Sequence, residues 1–257
     1  MQIKYNCQNV ASFQELIESY PPRQFNSPRR STVPLLSFWR YPPEKRIHSF
    51  YGILGLNPPG EFTAAFEYTV KPPQGKGKVS CTDLMFQCQS YCIAIEAKYT
   101  EPKYPWVEKW LQAGDINNRR KVLQGWLGRI GGVTGVNLAI EQVQKLEYQL
   151  IHRVASACSV DSTVCYVVYQ VFDLTQKKQE YYSSQFDSFS RMLGLNSKLR
   201  LILLNVQIQP TDRYNSLKEK WQNGQRHLCD EVIKGLLNND LMKFGKPQVV
   251  WSSGSNT

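Results

Sequence analysis

The chain has 257 residues, with 31 lysines and arginines against 21 aspartates and glutamates, a net charge of +10, 42% apolar and 12% aromatic content. This is the profile of a folded globular chain long enough for one large domain or two small ones, and it excludes a disordered polyelectrolyte. No run approaches the roughly 18 apolar residues of a membrane span, and the cationic surplus favours a polyanionic partner, nucleic acid first.

The opening "MQIKYNCQNVASFQEL" has no charged stretch followed by an apolar one, so a secretory signal is not expected and the cytosol is the expected compartment. Seven cysteines, at 7, 81, 88, 92, 158, 165 and 229, are odd in number and mostly inside apolar runs. They are expected to be free core thiols in a reducing compartment; Cys88 and Cys92 are the one close pair, with no histidine nearby to complete a zinc site.

In chain order, "SFQELIESY" (12–20) has helical spacing with Ser12 as N-cap, and "PPRQFNSPRRSTVP" (21–34) is an irregular basic loop. "EKRIHSFYGILGL" (44–56) is a short helix that "NPPGE" stops. Three strands follow closely: 62–71, 78–88 and 91–100. "PPQGKGK" joins the first two and Gln89-Ser90 the second two, so they form an antiparallel meander.

After Pro102 the period turns helical at 104–112, 117–130 and a long 137–158, whose stripe is Leu138, Val143, Leu146, Leu150, Val154 and Ala157. Then come a strand at 162–173, a helix at 185–194, a buried strand at 199–208 and an amphipathic helix at 214–239 with Gly224 as its weak point. Residues 1–250 read as a single domain with its core at about 44–175 and a strand and helices over 185–250; 251–257 reads as a disordered tail.

The stretch "YCIAIEAKYT" is apolar on both faces until Glu96 and Lys98, which share one face. A plain surface ion pair would suit an exposed strand better than this one. A two-residue turn at Gln89-Ser90 sets Asp83 opposite Glu96, and a hairpin centred on Gly75 sets Glu67 opposite Asp83. Opposed residues point to one face with Cβ atoms about 5 Å apart, and a one-residue slip would scatter the group. Three neighbouring carboxylates need a compensating charge, and their oxygens suit a hard divalent cation such as Mg2+.

Thr82-Asp83 on one strand and Glu96-Ala97-Lys98 on the next, with twelve residues between the acids, resemble the PD-(D/E)XK nuclease superfamily. The helix–three-strand–helix–strand order over roughly 44–175 resembles the αβββαβ core of that superfamily, a restriction-endonuclease-like α/β fold with a mixed central sheet flanked by helices. The resemblance implies a Mg2+- or Mn2+-dependent DNA endonuclease with Asp83 and Glu96 as metal ligands and Lys98 as the catalytic lysine. It further implies an upstream acid, here Glu67, with Glu44 and Glu61 in reserve, and a glutamine on the following helix, for which Gln149 is the candidate. Thr82 stands where the pattern has proline.

Arg119, Arg120 and Lys121, contiguous at a helix start, are the expected DNA contacts; their alternative is a solvated helix face. Trp106, Trp110 and Trp126 read as core or interface, and His152-Arg153 as packed or paired on its own helix. A restriction- or defence-type nuclease, acting as a homodimer if it cuts both strands, is the leading expectation. A repair, recombination or transposon-end nuclease on the same core, and a non-catalytic nucleic-acid-binding protein, are the alternatives; a partner protein for targeting stays open.

Overall fold

The computed structural model describes residues 1–40, 44–194 and 196–254, with Glu44 and Lys45 described by their backbone alone. A strand pair, β1 (Gln2–Tyr5) and β2 (Gln8–Asn9), precedes α1 (Phe13–Ser19), which Ser12 caps by accepting from the Glu15 amide. The basic loop is shorter than expected, because Pro22–Phe25 makes a 3-10 turn and Thr32–Phe38 forms α2. Pro34 sits in the first turn of α2, where a missing N–H costs nothing. Helix α3 (Glu44–Ile53) then leads into the meander β3 (Thr63–Val70), β4 (Ser80–Gln87) and β5 (Tyr91–Lys98).

Both hairpins take the register their turns predict. Phe66 pairs with Leu84 and Thr63 with Gln87 in the first; Leu84 pairs with Ile95 and Gln87 with Cys92 in the second. Helices α4 (Val107–Gln112), α5 (Ile116–Thr134) and α6 (Tyr148–Ala157) follow, then β6 (Val164–Phe172), α7 (Gln176–Leu193) and β7 (Leu199–Val206). The chain closes with β8 (Ile208–Pro210), α8 (Asp212–Gln222), α9 (Cys229–Asn238), β9 (Met242–Phe244) and β10 (Gln248–Ser252).

Three expectations are corrected. The helix over 137–158 exists only as α6, preceded by a 3-10 turn at Ile140–Val143. Residues 144–148 instead run beside 105–108, where Leu146 accepts from the Val107 amide at 2.8 Å and Pro105 from the Tyr148 amide at 3.1 Å, so tertiary partners replace helical ones. The helix over 214–239 is two helices, parted at Gly224, whose φ of 95° no ordinary side chain adopts easily. The tail expected to be disordered from 251 begins as strand: Trp251 and Ser252 belong to β10 and the Ser253 amide donates to Leu201 at 2.9 Å. Residues 255–257 lie outside the described ones.

The sheet order is β10-β7-β6-β5-β4-β3-β1-β2, mixed in direction, with β5, β6 and β7 mutually parallel. Helices cover both faces. One core packs Phe66, Leu84, Phe86, Ile93 and Ile95 beneath α1–α3 and α8–α9, and the other packs Met85, Ala94, Val167 and Tyr169 beneath α4–α7. Strand alternation assigns Asp83, Glu96 and Lys98 to the second face, at the carboxyl ends of the parallel strands, where ligand crevices of α/β sheets lie.

Candidate active site

The β4–β5 ladder stops at Leu84 and Ile95. One residue further, Asp83 takes the place of a backbone partner: its Oδ2 accepts from the Ala97 amide at 2.7 Å. The β3–β4 ladder skips a step at the same level, between Phe66–Leu84 and Tyr68–Thr82. Glu67 fills that gap with a φ of 51°, a left-handed conformation that costs a non-glycine residue roughly 1–2 kcal/mol. The sheet therefore opens where its acids gather, and the ladder bonds lost there are replaced by side chains.

Glu96 and Lys98, 3% and 7% exposed, form an ion pair at 3.1 Å. Two residues of α6, one turn apart, close around them. Gln149 donates from Nε2 to Glu96 at 2.7 Å and accepts from Lys98 Nζ at 2.5 Å. Arg153 pairs through Nη2 with the other Glu96 oxygen at 2.5 Å and donates to Thr82 Oγ1 at 2.9 Å. Both carboxylate oxygens of Glu96 are thus engaged, and Thr82 supplies the acceptor that proline could not.

Burial opposes the charge of Lys98, but Glu96 and Asp83 outweigh it and hold its pKa above the usual lysine range. Arg153 follows the same balance with the same two acids. Desolvation dominates at Asp83, and Glu96 adds to it, so its carboxyl is raised well above the usual range despite Arg153. Glu67 is raised by burial, against a bond from the Cys81 thiol at 2.8 Å and the pull of Arg153. Beside this group His152 is kept neutral, its pKa lowered by burial and then by Arg153 and Lys98, with Nδ1 2.8 Å from Ser80 Oγ.

Glu67, Asp83, Glu96, Gln149 and Arg153 line a cavity of about 870 Å³ whose lining also includes Arg29, Arg30, Glu101 and Arg226. Arg29 and Arg226 both rest on the Trp221 ring, 5.3 and 4.5 Å from its centroid. Lys98 is not among the lining residues; Gln149 and Glu96 stand at the wall and Lys98 holds them from behind.

The expected DNA contacts separate. Arg119 folds back onto the Trp110 ring and donates to the Trp110 and Ala113 carbonyls. Arg120 lies 3.7 Å from Glu141 in another cavity, and exposed Lys121 lines none of these. Glu61 is exposed before the far end of β3, away from the acids, and the Glu44 side chain lies outside the described residues. Arg226 escaped the sequence reading, and Arg29 reads there only as part of the basic loop. Arg153, expected to pack or pair on its own helix, pairs across to Glu96 of β5; it stands four residues after Gln149 on one helical face.

Among the described residues no three carboxylate, imidazole or thiol groups converge as a ready-made metal site. The donor chemistry nonetheless fits a hard divalent cation. Three carboxylates meet two cations, Arg153 and Lys98, and burial raises the pKa values of Asp83 and Glu67.

The fold and this group of side chains define an α/β protein with a charged cavity at the carboxyl ends of its parallel strands. The chain belongs to the family described as a domain of unknown function (DUF6946), whose model matches residues 7–212. That span contains Glu67, Asp83, Glu96, Lys98, Gln149 and Arg153, and ends before Trp221 and Arg226. Neither the curated proteins nor the solved structures compared with the chain give a match.

Proposed function

We propose that the chain is a Mg2+- or Mn2+-dependent deoxyribonuclease of restriction or defence type, hydrolysing phosphodiester bonds of DNA on a restriction-endonuclease-like core formed by α3, β3–β5, α6 and β6. The observation that carries this reading is the opened end of the β4–β5 hairpin, where Asp83 faces Glu96 and Gln149 ties Glu96 to Lys98.

Asp83 and Glu96, with Glu67, are the residues that would hold the cation. When bound, it would polarise the phosphoryl group and lower the pKa of a bound water. Lys98 stays protonated, so it serves as a fixed charge that orients Glu96 rather than as a proton acceptor. Arg153 lines the cavity with a guanidinium suited to a phosphate oxygen, and Arg29, Arg30 and Arg226 offer charge to neighbouring phosphates without reading sequence.

One observation favours a second reading, a non-catalytic nucleic-acid-binding protein. The Arg153–Glu96 pair supplies from within the chain some of the charge that a metal would bring.

Supercoiled plasmid incubated with Mg2+ or Mn2+ separates the two. Wild type is expected to nick or linearise it, and Asp83→Ala and Lys98→Ala to lose about 10²-fold or more of the rate, the scale set by removing one electrostatic contact to a transition state. Folded protein that cuts neither plasmid, branched nor single-stranded DNA would abandon the nuclease in favour of the binder. Equal cutting by all three proteins would dissolve the assignment of the site.

A further inference from the structure

A second cavity, of about 730 Å³, lies between the β3–β4 loop and helices α4, α5 and α6. Its size falls in the range of sites that hold small organic ligands. Lys76, Lys78, Lys109, Arg119 and Arg153 line it, and no carboxylate does among the described residues. Arg153 is paired with Glu96 and Arg119 is turned onto Trp110, so the three exposed lysines supply the positive charge that attracts an anion.

Its walls are also aromatic. Trp110 stacks on Tyr148 with centroids 3.6 Å apart and planes 8° from parallel, and Tyr104 stands at the rim, 40% exposed. Cations beside an accessible ring match the two parts of a nucleotide, phosphate and base. The loop that brings Lys76 and Lys78 is fixed in place: the Lys76 amide donates to Asn118 Oδ1 at 2.7 Å and Asn118 Nδ2 donates to the Lys76 carbonyl at 2.6 Å.

The two cavities share Cys81, Gln149 and Arg153 as a common wall. A strand crossing that wall would set one phosphate beside Arg153 at the edge of the acid cluster and the adjoining nucleotide beside Tyr104 and the lysines. We propose that this second cavity seats an unpaired nucleotide next to the phosphate at the acid cluster, so that the strand engaged there is single-stranded or locally unpaired. Bases inside a duplex are stacked on one another and do not present their faces to a protein ring. The proposal rests on the reading of the acid cluster as a nucleic-acid site and names the form of nucleic acid that it takes.

The test uses the full chain in EDTA, so that binding is read without cleavage. A fluorescein-labelled oligothymidylate of about 10 nucleotides, within the site size of single-strand binders, is titrated by anisotropy at several salt concentrations. Tyr104→Ala is expected to weaken binding about fivefold to a hundredfold through loss of one stacked base. The double variant Lys78→Ala/Lys109→Ala is expected to reduce the salt slope by about 1.4, the share of two phosphate contacts on a single strand.

Binding within twofold of wild type in Tyr104→Ala, together with an unchanged slope in the double variant, would overturn the proposal. So would a blunt duplex of equal length that binds as tightly as the single strand and is weakened as much by Tyr104→Ala. Oligonucleotide binding that responds to these variants while plasmid stays uncut supports this cavity and counts against the nuclease. Cutting that persists while neither variant alters oligonucleotide binding does the reverse.

Discussion

At Asp83 burial and Glu96 oppose ionisation, Arg153 and the Ala97 amide favour it, and burial prevails. The folded pKa therefore lies above the unfolded value of about 3.9. Between the two values the folded protein binds more protons than the unfolded one, so this residue's contribution to stability falls as pH rises through that window. Asp83→Asn removes the titration while keeping an acceptor for the Ala97 amide. In EDTA its stability should gain on wild type as pH rises from about 4 towards neutrality, with the two alike near pH 4. Urea melts across this range read the difference, and parallel pH profiles would show that Asp83 ionises freely in the fold. The raised carboxyl and the left-handed Glu67 are local costs of one cluster, the kind that folds keep at sites of function.

The β3–β4 loop and α5 make contact through missing side chains. A Cβ on Gly125 would come within 2.9 Å of the Gln74 amide nitrogen and 3.3 Å of Pro73 Cδ. Gly75, with φ of 72°, leaves similar space over Val122. The first contact is with backbone, which cannot rotate away. Gly125→Val should therefore lift the loop and cost about 1–3 kcal/mol by overpacking, a fall in Tm of roughly 2–10 °C at this chain length. It should also weaken oligonucleotide binding, because Lys76 and Lys78 travel with the loop. A Tm within 1 °C of wild type would show that the loop yields freely. By contrast, α6 is held at its start and middle: its first residue is tied to 105–108, and Gln149 and Arg153 are anchored to β4 and β5.

Across the whole molecule a surplus of +10 coexists with a cluster of three carboxylates beside two cations. If the cluster takes a divalent ion, folding and ion binding are linked. Mn2+ at a hundred times its Kd should stabilise the protein by about 2.7 kcal/mol, or roughly 5–10 °C in Tm. The shift should vanish in Asp83→Asn and weaken at low pH, where protons compete for the carboxyls. An equal shift in wild type and Asp83→Asn would place the ion elsewhere. No helix among the described residues is long and apolar enough to cross a membrane.

The meander was legible because its information is local. Turn length sets the register of a hairpin, and the register sets which side chains share a face, so Asp83 opposite Glu96 followed from the two residues Gln89 and Ser90. Ser12 as a cap and Gly224 as a weak point were legible for the same reason, although the break at Gly224 was not. The helix over 137–158 misled because an apolar stripe records burial, and Val143 and Leu146 are buried without being α-helical. Arg153 joined to Glu96, the Arg29–Trp221–Arg226 stack and the wall shared by two cavities bring together residues tens of positions apart. No spacing rule encodes such contacts. The sequence by itself determined the three strands of the meander, their pairing and the acids they carry. The tertiary structure alone decided which cations meet those acids and which rings stand beside them, since packing of distant elements sets that and local backbone preference does not.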